Sequence, residues 1–70
     1  MLKDKIDYLV MLIAAFAKRH SLSQREAYQY IARFKALDFC DRHYGIMHTL
    51  PLEDNLESIA QYCRRNGGLL

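Results

Sequence analysis

Tyr8-Leu9-Val10-Met11-Leu12-Ile13-Ala14-Ala15-Phe16-Ala17 is the most apolar run of the chain, and its reading decides the fold. Its ten residues are too few for a membrane span, which takes about 20. Ile6, Leu9, Val10, Ile13, Phe16 and Ala17 recur at the spacing of one helical face, so a helix is expected over residues 4–19. Tyr8, Met11, Leu12 and Ala15 make the other side apolar as well. A helix that is apolar nearly all round belongs in the middle of a fold, yet a chain of this length buries only about 60% of its unfolded surface. Tyr8, Met11, Leu12 and Ala15 are therefore expected to form an interface. Lys18, Arg19 and His20 close the helix, where cations complement its dipole.

Outward from this run the chain continues in helical patterns. Ser23-Gln24-Arg25-Glu26 fits a capping box: the Ser23 hydroxyl can accept from the Glu26 amide while the Glu26 carboxylate reaches back. The second helix is expected over 24–35, with Ala27, Ile31 and Phe34 inward, Tyr30 and Leu37 flanking them, and Tyr28 pointing elsewhere. Asp38 reads as the next N-cap, opening a helix over 39–47 with Cys40, Tyr44 and Met47 inside. Gly45 weakens that helix and offers an earlier end. Pro51 belongs in the first turn of a last helix over 51–65, striped by Leu52, Leu56, Ile59, Ala60 and Cys63. Asn66-Gly67-Gly68 stops it. The loops are short, and Pro51 with three glycines are the only breakers. The expected fold class is all-α: a single domain over residues 1–70, built as a compact bundle of four helices with orthogonal or irregular packing.

Charge adds a second feature. The net charge is only +2, which does not compel a nucleic-acid partner. Its distribution is uneven: Lys18, Arg19, Arg25, Arg33 and Lys35 face a single acid, Glu26, between residues 18 and 35, whereas residues 36–63 carry five acids against Arg42 alone. A basic face formed by those five cations is expected, opposite an acidic one. Cys40 and Cys63 follow no disulfide-scaffold or C-x-x-C pattern and read as buried thiols in a reducing cytosol. Met1-Leu2-Lys3-Asp4-Lys5 precedes an apolar run, but no small-residue cleavage site follows, so no secretory leader and a cytoplasmic location are expected.

Each constellation that carries chemistry meets a simpler alternative. Cys40 and His43 lie one turn apart and could form a nucleophilic dyad, but no nucleophile signature or oxyanion loop accompanies them. A packed thiol beside a surface imidazole is preferred, and no enzyme activity is expected. Cys40, His43, His48 and Cys63 mix their spacings in a way unlike structural zinc sites, and no metal or other cofactor is expected. Leu22-Ser23-Gln24-Arg25-Glu26-Ala27 resembles the opening of a helix-turn-helix, which would make the third helix the recognition helix. That helix offers Phe39, Asp41, Arg42 and His43, a poor set for gripping phosphate or reading bases. Tyr44 and His48, four apart, can touch and form a candidate polar site, with a capping role for His48 as the simpler reading.

The order of these motifs carries a resemblance. Asp7-Tyr8-Leu9-Val10 on an apolar helix, Leu22-Ser23, Glu26-Ala27, Ala36-Leu37-Asp38-Phe39, then Tyr44 to His48-Thr49 and a final amphipathic helix resemble the short bacterial proteins of domain-of-unknown-function family 3791. The resemblance covers nearly the whole chain. It implies a bacterial, helical protein and a paired, toxin–antitoxin-like setting, and it carries over no catalytic residue. The expected function is a non-catalytic protein-interaction module acting through the first helix, as a homo-oligomer or with a small protein partner and without a membrane. A small nucleic-acid-binding regulator is the alternative.

Overall fold

Two ion pairs tie the ends of the opening helix to later segments of the chain. In the computed structural model, which describes residues 3–70, helix α1 covers Lys3–Arg19. Near its start the Lys5 ammonium meets the Asp41 carboxylate at 2.9 Å, and at its end Arg19 meets Glu53 at 2.6 Å. Met1 and Leu2, part of the expected 1–70 domain, lie outside the described residues. The remaining helices are α2 (Gln24–Arg33), α3 (Ala36–Arg42), α4 (Tyr44–Met47) and α5 (Leu52–Arg65), with no strand among the described residues. The all-α expectation holds, with five helices replacing four.

α1 packs against α2, α3 and α5 and so forms the hub of the domain. Its Leu9, Leu12, Phe16 and Ala17 are buried. Phe16 sits at the centre with Ile31 of α2, Cys40 of α3, and Ile59 and Cys63 of α5. The radius of gyration, 10.9 Å, matches the value of about 11 Å for a folded chain of this length. The inward side of α1 differs from the expected one. Leu12, assigned to an interface, is 1% exposed, whereas Ile6 and Val10, assigned to the core, are 45% and 54% exposed. With a step of about 100° per residue, the helix is rotated by roughly 50° from the expected setting. The rotation brings Lys5 and Arg19 to carboxylates on α3 and α5.

The helix ends explain the remaining differences. Ser23 and Glu26 form the expected reciprocal cap, with bonds of 3.0 and 2.8 Å. α2 ends at Arg33 instead of Lys35, because Lys35 takes the left-handed conformation (φ 65°) and donates its N–H to the Ala32 carbonyl. Lys35 then accepts the Phe39 N–H and opens α3 at once. Asp38 is thus no cap: it falls inside the first turn, where its carboxylate pairs with Arg42 at 3.4 Å. The helix expected over 39–47 breaks at His43 (φ −106°, ψ 14°), two residues before Gly45. Pro51 stands just outside α5 as its N-cap. At the far end of α5, Gly67 (φ 105°) donates to the Arg64 carbonyl and Gly68 to that of Cys63, the paired bonds of a Schellman turn. The same pair closes α1, through Ser21 (φ 56°) to Lys18 and Leu22 to Ala17.

Among the described residues Asn55 is the one buried polar residue, 2% exposed. Its amide Nδ2 donates to the Tyr8 hydroxyl at 2.8 Å and to the Met47 carbonyl at 2.7 Å. It therefore ties α5 to both α1 and the end of α4, and its two donors are satisfied, which burial demands.

Three outcomes follow from this packing. Asn55→Leu removes the bonds to the Tyr8 hydroxyl and the Met47 carbonyl, leaving that carbonyl only the Leu50 N–H, and lowers the unfolding free energy by about 0.5–1.5 kcal/mol per lost bond in urea titrations. Gly68→Ala places a methyl 2.2 Å from the Tyr30 hydroxyl and 3.0 Å from the Cys63 carbonyl oxygen, while Tyr30 is held between Phe16 and Phe34, so a loss of about 1–3 kcal/mol is expected. The third concerns pH. His20 packs on Phe16 at 4.2 Å between ring centres, with its Nε2 buried and unpartnered. Burial, then the Arg19 and Arg64 charges, lowers its pKa from the ordinary 6.5, against an opposing pull from Glu57. The unfolded chain therefore takes up a proton first as pH falls. This contribution to stability is complete above pH 6.5 and declines as pH drops towards the lowered folded value. Replacing His20 with Phe should flatten the stability profile in that window, as read by thermal melts at stepped pH.

Candidate functional site

Rotating α1 leaves Ile6 and Val10 facing solvent, and α2 and α3 build a groove beside them. Its floor and near wall are Ile6, Leu9, Val10 and Ile13, and its far wall is Tyr28 and Ala32 of α2. Lys35, Leu37, Asp38 and Asp41 close the end formed by the α2–α3 junction and α3. The groove has a volume of about 550 Å³ and is open along its length. Tyr28 is half exposed and lies on the outward side of α2, as its spacing from Tyr30 implied.

The charges around the groove are unequal in their freedom. Asp41 is held by Lys5 and Asp38 by Arg42. Lys35 and Arg25, the latter one turn before Tyr28 on the same side of α2, are exposed and form no ion pair among the described residues. Of these two only Lys35 lines the groove, which therefore pairs an aliphatic floor with one cation free of an ion pair.

The expected interface residues do not form one surface. Leu12 is in the core; Tyr8 and Ala15 are half-buried, Tyr8 through its bond to Asn55; only Met11, 42% exposed, faces water. The expected basic face is likewise divided. Arg19 is taken up by Glu53 and Glu57 of α5, Arg33 lies over the Phe34 ring, and Lys18, Arg25 and Lys35 remain exposed. Tyr44 and His48 do meet, with rings stacked at 4.9 Å, although α4 is a single turn. Tyr44 also packs edge-on against Tyr8 at 5.4 Å, with the Lys5 ammonium 5.6 Å from its ring centre. His48 Nδ1 lies 2.9 Å from the Tyr44 carbonyl oxygen, and the Thr49 hydroxyl donates to that of Ile46. The pair thus serves to close α4, whose last carbonyls have no further turn to bond.

Cys40 and Cys63 are buried free thiols. Burial, reinforced by Cys63, pushes the Cys40 thiol up to about 12, and burial raises Cys63 to about 11. Both stay protonated at neutral pH, and a protonated thiol is no nucleophile. His43 stands outside on the Phe39 ring, 4.8 Å away. Among the described residues no three His, Cys, Asp or Glu side chains converge in a way that could hold a metal ion, and no helix is long and apolar enough to cross a membrane.

The groove itself was missed by sequence reasoning, because it needs three helices in place at once. A partial signal existed: Lys3, Asp4, Asp7 and Lys18 share one arc of α1, and their hydration sets that arc outward, which turns Leu9, Leu12 and Phe16 inward.

No curated protein and no solved structure matches the chain. A family model described as "Protein of unknown function (DUF3791)" matches residues 7–66, from the first turns of α1 to the Asn66 cap of α5. The resemblance read from the order of motifs therefore holds, and the chain belongs to the DUF3791 family.

Proposed function

We propose that this is a non-catalytic protein-interaction module of the bacterial cytoplasm that docks its partner along the groove between α1, α2 and α3. The observation that carries the reading is the exposure of Ile6, Val10 and Tyr28 around one aliphatic groove in a protein that has other, charged residues to spend on its surface. A concave, mostly apolar groove bordered by charged residues is the kind of surface at which binding sites are found. The site stays within the family of surfaces expected from α1, but its residues are the Ile6–Val10–Ile13 side and not the Met11 side. Occupation by a second copy, giving a homodimer, and occupation by a small partner in a toxin–antitoxin-like pair are both versions of this reading.

Nucleic-acid binding has less behind it. α3 would be the recognition helix, yet it spans seven residues and carries Asp38 and Asp41, and the cations that could grip phosphate are dispersed. An enzyme reading would need a nucleophile or base that the protonated Cys40 does not supply.

Val10→Asp tests the proposal. Val10 is exposed, so the substitution should change stability by no more than about 0.5 kcal/mol. It should also abolish whatever association the native chain shows, whether concentration-dependent sedimentation or retention of a host protein, while a charge reversal at the remote Arg65 leaves that association intact. Association that persists in Val10→Asp, or a native chain that stays monomeric and retains nothing, overturns it.

A further inference from the structure

The groove occupies one flank of α1, and the side of that helix facing directly away from the core is a separate surface. We infer that it is the contact of a homodimer, in which α1 of a second copy lies antiparallel along it. The homodimer goes beyond the groove reading and stands without it.

Asp7, Met11, Ala14 and Lys18 succeed one another at intervals of four, three and four residues. A helix keeps one line of side chains towards a neighbouring helix at this spacing. With a step of about 100° per residue, the four fall within roughly 60° of one another, opposite the buried Leu9 and Phe16. Asp7, Met11 and Lys18 are exposed, Ala14 is half-buried, and Val10, 54% exposed, borders the line.

The line is complementary to itself. Laid against a second copy running the other way, Asp7 stands opposite Lys18, Met11 opposite Ala14, Ala14 opposite Met11 and Lys18 opposite Asp7. A two-fold contact requires this, since it uses the same patch on both subunits and each pairing occurs twice. Sizes match as well: each flexible Met11 meets the short Ala14, so the two helices can approach closely. An unrelated partner imposes no such symmetry on the surface that receives it.

Charge fixes the direction. Asp4, Asp7 and Lys18 face outward and form no ion pair among the described residues. The face is therefore acidic at the start of α1 and basic at its end. Parallel copies would set Asp7 on Asp7 and Lys18 on Lys18, whereas antiparallel copies bring Lys18 to Asp7 and Asp4 at both ends. Lys3, the other cation of this face, then falls about one turn further on, against the C-terminal end of the second copy's α1, where the helix dipole is negative. About three turns of one helix fall short of the roughly 800 Å² per partner of a standard interface, so the dimer is reversible and concentration-dependent.

Sedimentation equilibrium of the whole chain over a concentration series should show the apparent mass rising from one chain towards two. Asp7→Lys and Lys18→Asp each set like charges opposite one another at both ends, and each should weaken association at least about tenfold. An equimolar mixture of the two variants should recover it, because the Asp7→Lys chain meets the Lys18→Asp chain with opposite charges at both ends. That recovery also shows that neither variant has lost its fold. Ile6→Ser, on the groove side of α1, should leave the dimer intact. Association that neither reversal weakens, or a mixture that recovers nothing, overturns the antiparallel contact. A dimer lost in Ile6→Ser places the second copy in the groove and overturns it too. A chain that stays monomeric at millimolar concentration yet retains a host protein overturns the homodimer and leaves the groove a docking site.

Discussion

The seating of α1 is the constraint on which the rest of the structure depends. Burying Leu9, Leu12 and Phe16 contributes about 1.5–3 kcal/mol each, far more than any surface ion pair. The same setting keeps Lys3, Asp4, Asp7 and Lys18 in water and brings Lys5 to Asp41 and Arg19 to Glu53. The polar residues of α1 thus agree with the rotation that its apolar residues stabilise.

A small domain whose two cysteines are free needs other means of joining its ends. Here the polar core does part of that work. Asn55 reaches α1 through Tyr8 and the end of α4 through Met47. On the opposite side Tyr30 stacks on Phe16 and meets Phe34 edge-on, and its hydroxyl accepts the Leu70 N–H. Gly68 fits beneath that ring because it has no side chain. The two tyrosines act as struts at opposite ends of the same hub helix, each with an apolar ring in the core and a hydroxyl satisfied at its margin.

Signals written in adjacent residues were legible in the sequence. The Ser23–Glu26 box and the Asn66-Gly67-Gly68 stop depend on local backbone geometry, and both appear where their residues imply. The inner stripe of α5 from Leu56 to Cys63 was legible too, because charged residues occupy its other side. What escaped depends on distant partners or on conformations the residue type disfavours. Ser21 and Lys35 are not glycine, so nothing announced their positive φ. Asn55 sits among Glu53, Asp54 and Glu57 and reads as one more solvated residue until α4 delivers a carbonyl to it. The setting of α1 escaped because Tyr8, Met11, Leu12 and Ala15 blur its apolar stripe, leaving the phase to the polar arc of Lys3, Asp4, Asp7 and Lys18. The groove escaped with it, along with the exposure of Ile6 and Val10 that defines it.

Lys35 joins two properties that most proteins keep on separate residues. Its backbone bears a left-handed strain of roughly 1–2 kcal/mol, a noticeable share of the few kcal/mol by which a chain this small stays folded. Its side chain carries the positive charge among the groove's lining residues. A single codon therefore governs both robustness and surface charge: an exchange for glycine would harden the domain and take the cation from the groove's rim in the same step.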